Sequence, residues 1–100
     1  MIEINPNSKL LHDAVDSIPD YGFINNPDQL RNALHNKIEA VEKMIGKDNL
    51  KGAVNKLEFD IKDKFVKWLI DDYQKENPEQ LSKVEVIELI QAIIKRLSNQ

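Results

Sequence analysis

Leu50-Lys51-Gly52-Ala53-Val54-Asn55-Lys56-Leu57-Glu58-Phe59-Asp60-Ile61-Lys62-Asp63-Lys64-Phe65-Val66-Lys67-Trp68-Leu69-Ile70-Asp71-Asp72-Tyr73 is the stretch that decides the fold. Leu50, Ala53, Val54, Leu57, Ile61, Phe65, Trp68 and Leu69 recur at three- and four-residue steps, the spacing of one helical face. Glu58 with Lys62, Asp60 with Lys64 and Asp63 with Lys67 place acid before base at i,i+4 on the other face. The pattern predicts one long amphipathic helix from Asp48 or Asn49 to about Tyr73. Gly52 lies in its first turns and weakens it by about 1 kcal/mol relative to Ala, unless it lets a neighbour approach closely.

The segments on either side read the same way. Pro27 to Ile45 carries Leu30, Ala33, Leu34, Ile38, Val41 and Ile45 on one stripe, and Gly46 is a natural left-handed stop. The link Lys47-Asp48-Asn49 is so short that the following helix must return antiparallel. Upstream, Leu10, Leu11, Ala14, Val15 and Ile18 predict a helix from about Pro6 to Ser17, which Pro19 ends. The connector at 19–26 holds Tyr21, Gly22, Phe23 and Ile24. Phe23 and Ile24 are expected to fold back as a plug; the competing reading makes Phe23 an exposed aromatic contact. Downstream, residues 74–80 are polar. Asn77-Pro78 opens one turn, and Ser82-Lys83-Val84-Glu85 matches a capping box. Val84, Ile87, Leu89, Ile90, Ile93, Ile94 and Leu97 follow as a broad apolar stripe. Lys95 and Arg96 sit in the last turn, where positive charge suits the helix dipole.

Three Asn-Pro pairs, Asn5-Pro6, Asn26-Pro27 and Asn77-Pro78, mark candidate helix starts. No strand is expected, and residues 2–4 are too short to make a sheet. The expected fold is all-α: residues 1–100 form a single domain, an antiparallel up-and-down bundle of about four helices, with the N-terminal one shorter.

Composition narrows the function classes. The chain has 100 residues, with 14 Lys and Arg against 17 Asp and Glu, for a net charge of −3. That balance argues against a nucleic-acid partner, which needs a basic field. There is no cysteine, so disulfides, thiolate nucleophiles and Cys-based zinc sites are excluded. No apolar run approaches the roughly 20 residues of a membrane span, and the first residues do not read as a signal peptide.

Few residues suggest chemistry. His12 and His35 fall in different helices without further ligands at metal spacing, so they read as satisfied surface or boundary histidines and no metal is expected. Asp13, Asp16 and Asp20 do not fit a calcium loop, and Asp71-Asp72 point about 100° apart on a helix. No phosphate loop or nucleophile signature occurs, so neither cofactor nor enzymatic activity is expected. Trp68, with Lys64, Lys67 and Lys75 nearby, is a possible aromatic contact, but its place on the apolar stripe favours the core boundary.

Asn32-Ala33-Leu34-His35-Asn36-Lys37-Ile38-Glu39-Ala40-Val41, then Met44-Ile45-Gly46, then Leu50 to Lys64 resemble a known pattern. It reads Leu-x-Asn-Lys-Leu-x-Ala-Ala/Val, a Gly-Asn/Asp-Tyr turn, and Gly/Glu-Ala-Ile-x-Lys-Leu-x-x-Asp-Ile. Phe23-x-Asn25 and Trp68-Leu69-Ile70-Asp71 look similar to its flanks. The pattern belongs to FIMAH-like helical accessory modules of secreted and cell-surface proteins of bacteria and archaea. The resemblance spans about residues 17–97. It departs at Gly46-Lys47-Asp48-Asn49-Leu50, which has one extra residue and Leu50 in place of Tyr.

The resemblance implies a noncatalytic accessory module that presents a helix face to a protein partner, a neighbouring domain or a glycan. It would be extracellular or at the cell surface as part of a larger secreted protein, and cytoplasmic if the chain is complete. Asn36, Lys37, Asn55, Lys56 and Asp60 match the pattern best. They are candidates either for a docking face or for ties between the second and third helices, with Lys37 and Asp60 as one such tie. The alternative function is a small standalone inhibitor, such as a toxin-neutralising or bacteriocin-immunity protein. The chain is expected to be a monomer or, through the last helix, a homodimer.

Overall fold

A computed structural model of the chain describes residues 6–99. It is an all-α bundle of four helices. Asn5 and the segment 2–4 lie outside the described residues. Helix α1 is Pro6–Asp16 and α2 is Pro27–Gly46. Helix α3 spans 50–68 in three joined pieces: Leu50–Lys56, a π turn Leu57–Ile61, and Lys62–Trp68. Helix α4 is Lys83–Ser98. Helix α1 packs on α2 and α4, and α3 packs on the same two partners.

The core explains the π turn. Ala53, Leu57, Ile61, Phe65 and Leu69 are all buried, and each lies four residues after the last. On an ordinary helix a four-residue step overshoots one turn by about 40°, so such a row drifts off the face. The wider π turn at Leu57–Ile61 takes up the drift. From the other helices, Leu11, Val15 and Ile18, then Leu34, Ile38 and Val41, then Val86, Ile90, Ile93 and Leu97 complete the core. Val86, rather than Val84, is the buried valine at the start of α4, and Val84 faces solvent.

Helix α3 stops at Trp68, five residues before the end expected from periodicity. Leu69 is extended, with φ −106° and ψ 142°. It forms an isolated antiparallel bridge with Phe23, in which Ile24 N donates to Trp68 O at 2.9 Å and Ile70 N donates to Gly22 O at 2.8 Å. The connector therefore takes the backbone groups that another helical turn would use. Phe23 is buried, as a plug must be, while Ile24 turns outward. Arg31 pins this connector to α2. Its Nη2 donates to Ile18 O and to Asp20 Oδ1, both at 2.9 Å, and its guanidinium lies 5.0 Å from the centre of the Phe23 ring.

Two helix ends differ from expectation. Asn26 is left-handed, with φ 30°, and makes no side-chain cap, so Pro27 alone marks the start of α2. Gly46 is not left-handed; Asp48 is, with φ 61°. Asp48 N donates to Ile45 O at 3.0 Å and Asn49 N to Met44 O at 2.8 Å, the bonds of a Schellman stop with aspartate in the usual glycine position. Asn49 then caps α3 by accepting from Gly52 N at 3.0 Å. A Cβ on Gly52 would meet that cap at 2.4 Å, so the close neighbour of Gly52 is its own N-cap. The capping box of Ser82 and Glu85 forms as expected. Asn77 opens a single turn, its side chain accepting from Glu79 N and Gln80 N.

Candidate functional site

Two polar clusters cross the helix seams. The first joins α2 to α3. Lys37 Nζ and Lys56 Nζ both donate to Asp60 Oδ2, at 3.1 Å and 2.9 Å. All three side chains are about a quarter exposed. Partial burial pushes the Asp60 carboxyl up, but the hydrogen bonds and charges of Lys56 and Lys37 outweigh it and hold it below the ordinary range. Each ammonium has three donors and spends one on Asp60. Two ammonium groups on one carboxylate leave the cluster with one net positive charge.

The five residues singled out from the sequence, Asn36, Lys37, Asn55, Lys56 and Asp60, separate in space. Lys37, Lys56 and Asp60 come together. Asn36 is exposed one residue before Lys37 on α2. Asn55 lies elsewhere, lining a shallow groove of about 300 Å³ between α3 and α4 with Leu50, Val54 and Leu97. The expected pairing of Asp60 with Lys64 does not form. Lys64 instead leans 5.8 Å from the centre of the Trp68 ring, while Glu58–Lys62 and Asp63–Lys67 pair as expected. Trp68 packs against the edge of the core, and the burial of Phe23 removes it as a surface contact.

The residue that sequence reading missed on this face is Phe59. It is 75% exposed, more than any other large hydrophobic side chain described. Phe59 lies one turn after Asn55 and three residues after Lys56, so it stands on the outward side of α3, about a quarter-turn round the helix from Asp60. Val66, also exposed, lies seven residues on, but one residue past the core-facing Phe65 where Phe59 is two past the core-facing Leu57, so the two point to different sides of α3. The available signal was a phenylalanine off the four-residue row, between the charged Glu58 and Asp60.

The second cluster joins α1 to α2. His12 Nδ1 faces His35 Nδ1 at 2.6 Å, His12 Nε2 meets Glu42 Oε1 at 2.7 Å, and His35 Nε2 meets Asp16 Oδ1 at 2.8 Å. The two rings meet edge to edge, with centroids 4.8 Å apart and planes 24° from parallel. The histidines are thus boundary residues with partners, and one partner of each is the other histidine. Asp13, Asp16 and Asp20, adjacent to the eye in sequence, go to three separate partners: Lys9, His35 and Arg31. Among the described residues no group of three or more His, Asp or Glu is arranged to hold a metal ion.

An open cleft of about 590 Å³ lies beside this second cluster, walled by Asp16, Asp20, Arg31, Asn77 and Glu79. Its one cation, Arg31, is held through Nη2 by the Ile18 carbonyl and Asp20, while its buried Nε has no hydrogen-bond partner among the described residues. Among the described residues no helix is long and apolar enough to cross a membrane. No family model matches the chain, and no curated protein or solved structure is significantly similar to it.

Proposed function

We propose that this chain is a noncatalytic interaction module that docks a protein partner through the outward face of α3. The observation that carries this reading is the 75% exposure of Phe59, one helical turn from Lys56 of the Lys37–Asp60–Lys56 cluster. An aromatic ring is the residue type that anchors interfaces, because it offers a large rigid area at small entropic cost. Lys56, three residues before Phe59 on the same helix, and Lys37 across the seam give the neighbouring cluster one net positive charge. The complementary partner surface is an apolar pocket edged by carboxylates. Asp60 positions the two lysines. The resemblance to FIMAH-like accessory modules supports the same reading and adds a setting, in or beside secreted and cell-surface proteins.

The test compares the chain with Phe59→Ala as bait in extracts and secretions of the source organism. Phe59 is too exposed to support the fold, so the variant keeps its melting temperature. A protein retained by the parent chain and lost with Phe59→Ala supports the proposal. Capture of the same proteins by both baits, or of none, overturns it. Sedimentation of the bait alone separates one special case: concentration-dependent association abolished by Phe59→Ala makes the partner a second copy of this chain.

A further inference from the structure

The chain Asp16–His35–His12–Glu42 contains three polar contacts, between 2.6 and 2.8 Å long, across four titratable groups. Each contact of that length needs one proton between its two heavy atoms, because two lone pairs or two N–H groups facing each other repel. Three protons are therefore required. Two carboxylates and two neutral imidazoles carry only two. The closed arrangement holds one proton more, and its net charge is −1 rather than −2.

Where the third proton sits follows from the ends. Carboxylates only accept, so both outer Nε2 atoms carry hydrogen and donate to Asp16 and Glu42. The extra proton then lies between the two Nδ1 atoms, making an imidazole–imidazolium pair. We propose that this pair is a one-proton latch across the α1–α2 seam, closed at one protonation state and opened by acid and by base alike. A fourth proton puts N–H against N–H in the central contact. Loss of the third puts lone pair against lone pair. The rings are about a quarter exposed and Asp16 is 63% exposed at the rim of the cleft, so protons exchange with solvent without unfolding.

Other charges around the latch are accounted for. On α1 the neighbours are Asp16 and the Lys9–Asp13 ion pair. On α2 they are Glu39 one turn after His35, Glu42, and Arg31 one turn before, whose guanidinium is held by Asp20 and the Ile18 carbonyl. Among the described residues no ion pair or hydrogen bond links a charged side chain of α3 or α4 to either ring. The sign follows from the central contact. Base removes its proton and leaves lone pair against lone pair, so the latch weakens as pH rises. Acid adds a second and sets N–H against N–H, so the latch weakens as pH falls.

Two measurements test this on the whole chain. The first is a double-mutant cycle of His12→Ala and His35→Ala, read by urea unfolding from about pH 5 to about pH 9, the range that brackets a free imidazole. The coupling between the two sites is expected to pass through a maximum and to decline on both sides. Coupling that is flat, or that changes in one direction only, overturns the latch. The second needs no variant: long-range ¹H–¹⁵N spectra of the two rings across the same range. Both Nδ1 signals are expected to move together in two separate steps, with both Nε2 atoms protonated throughout. Independent single-step titrations, or an unprotonated Nε2 on either ring, overturn it.

Discussion

Lys83, the first residue of α4, donates its ammonium to the carbonyl of Val66 at 2.7 Å, in the last turn of α3. It also reaches Leu69 O at 3.1 Å and pairs with Asp71. The last carbonyls of any helix lack amide partners and are met by water, by a cap or by a cation. Here the cation comes from the next helix, so the cap of α3 is also a tie to α4. Replacing Lys83 by Met keeps the aliphatic stem and removes the donors. Hydrogen bonds to charged groups contribute about 1.5–3 kcal/mol, and the Lys83 side chain is only 13% exposed. Lys83→Met is expected to lower stability by about 1–3 kcal/mol in urea unfolding, while Lys67→Met, on an exposed pair, changes it by less than about 0.5 kcal/mol.

The Tyr73 ring lies against Gly22. A Cβ on Gly22 would come within 3.1 Å of the ring and 3.2 Å of Ile18 Cγ2. Both neighbours are held: Ile18 belongs to the core, and the Tyr73 hydroxyl donates to Leu81 O. Overpacking of this kind costs about 1–3 kcal/mol. Gly22→Ala is expected to lower the melting temperature by several degrees, at roughly 4–8 °C per kcal/mol for a domain of this size. Tyr73→Phe combined with Gly22→Ala frees the ring to shift, so the two losses are expected to be less than additive.

The stop of α2 gives the opposite sign. Nothing lies within 4 Å of where a Cβ on Gly46 would sit, and Gly46 is helical. Asp48 carries the left-handed conformation, with φ 61°. Gly46→Ala is therefore expected to raise stability by about 0.5–1 kcal/mol. Asp48→Gly relieves a backbone strain of about 1 kcal/mol. Thermal unfolding of the two variants checks both. If Gly46 were the left-handed stop, Gly46→Ala would instead destabilise.

The helices were legible because their apolar rows were. The row at 53, 57, 61, 65 and 69 even carried the mark of the π turn, since a strict four-residue step does not stay on one face of a regular helix. What local pattern did not carry was competition from elsewhere in the chain. Leu69 has helical spacing, yet the backbone of Gly22 and Ile24 claims the groups around it. Asn26 and Gly46 have the residue types of caps, but Pro27 and Asp48 set those ends. At the candidate face, the tie of Lys37 to Asp60 was one of the two expectations attached to the residues that carry the family resemblance, and it forms. Phe59 was hidden among charges. The His12–His35 contact was not visible at all, because it depends on how α1 lies against α2.

Acid weakens the fold through two carboxyls of known sign. Glu85 is drawn from the ordinary 4.5 to about 2, first by the hydrogen bond from Lys75 and then by the Ser82 amide it caps. Asp60 is held low by Lys56 and Lys37 against its partial burial. A carboxyl whose folded value is depressed contributes stability that is present above its unfolded value and lost as pH falls through the folded one. Glu85 therefore acts between about pH 4.5 and about pH 2, and Asp60 below its ordinary 3.8. Glu85→Gln is expected to be less stable than the parent at pH 6 and to converge on it near pH 2. Urea midpoints followed by circular dichroism at each pH check this, and parallel curves down to pH 2 would refute the assignment.

Alkali works through Tyr73, with the opposite sign. Burial of the phenol pushes it up to about 12, helped by the nearby Glu85 charge and by Tyr21. A group whose folded value is raised contributes stability that is fully present below its unfolded value, here about 10, and is lost as pH rises through the folded one. Between those values the unfolded chain gives up the phenolic proton and the folded chain keeps it. Tyr73→Phe removes the bond to Leu81 O and is expected to lose about 0.5–1.5 kcal/mol at neutral pH. It also removes the alkaline sensitivity, so its stability from pH 10 upward falls less steeply than that of the parent. Ultraviolet titration of the phenolate absorbance gives an independent reading. The parent is expected to show a late phenolate step near pH 12 that Tyr73→Phe lacks. An unchanged absorbance profile in the variant would place the buried proton elsewhere and remove Tyr73 as the clamp between Gly22 and Leu81.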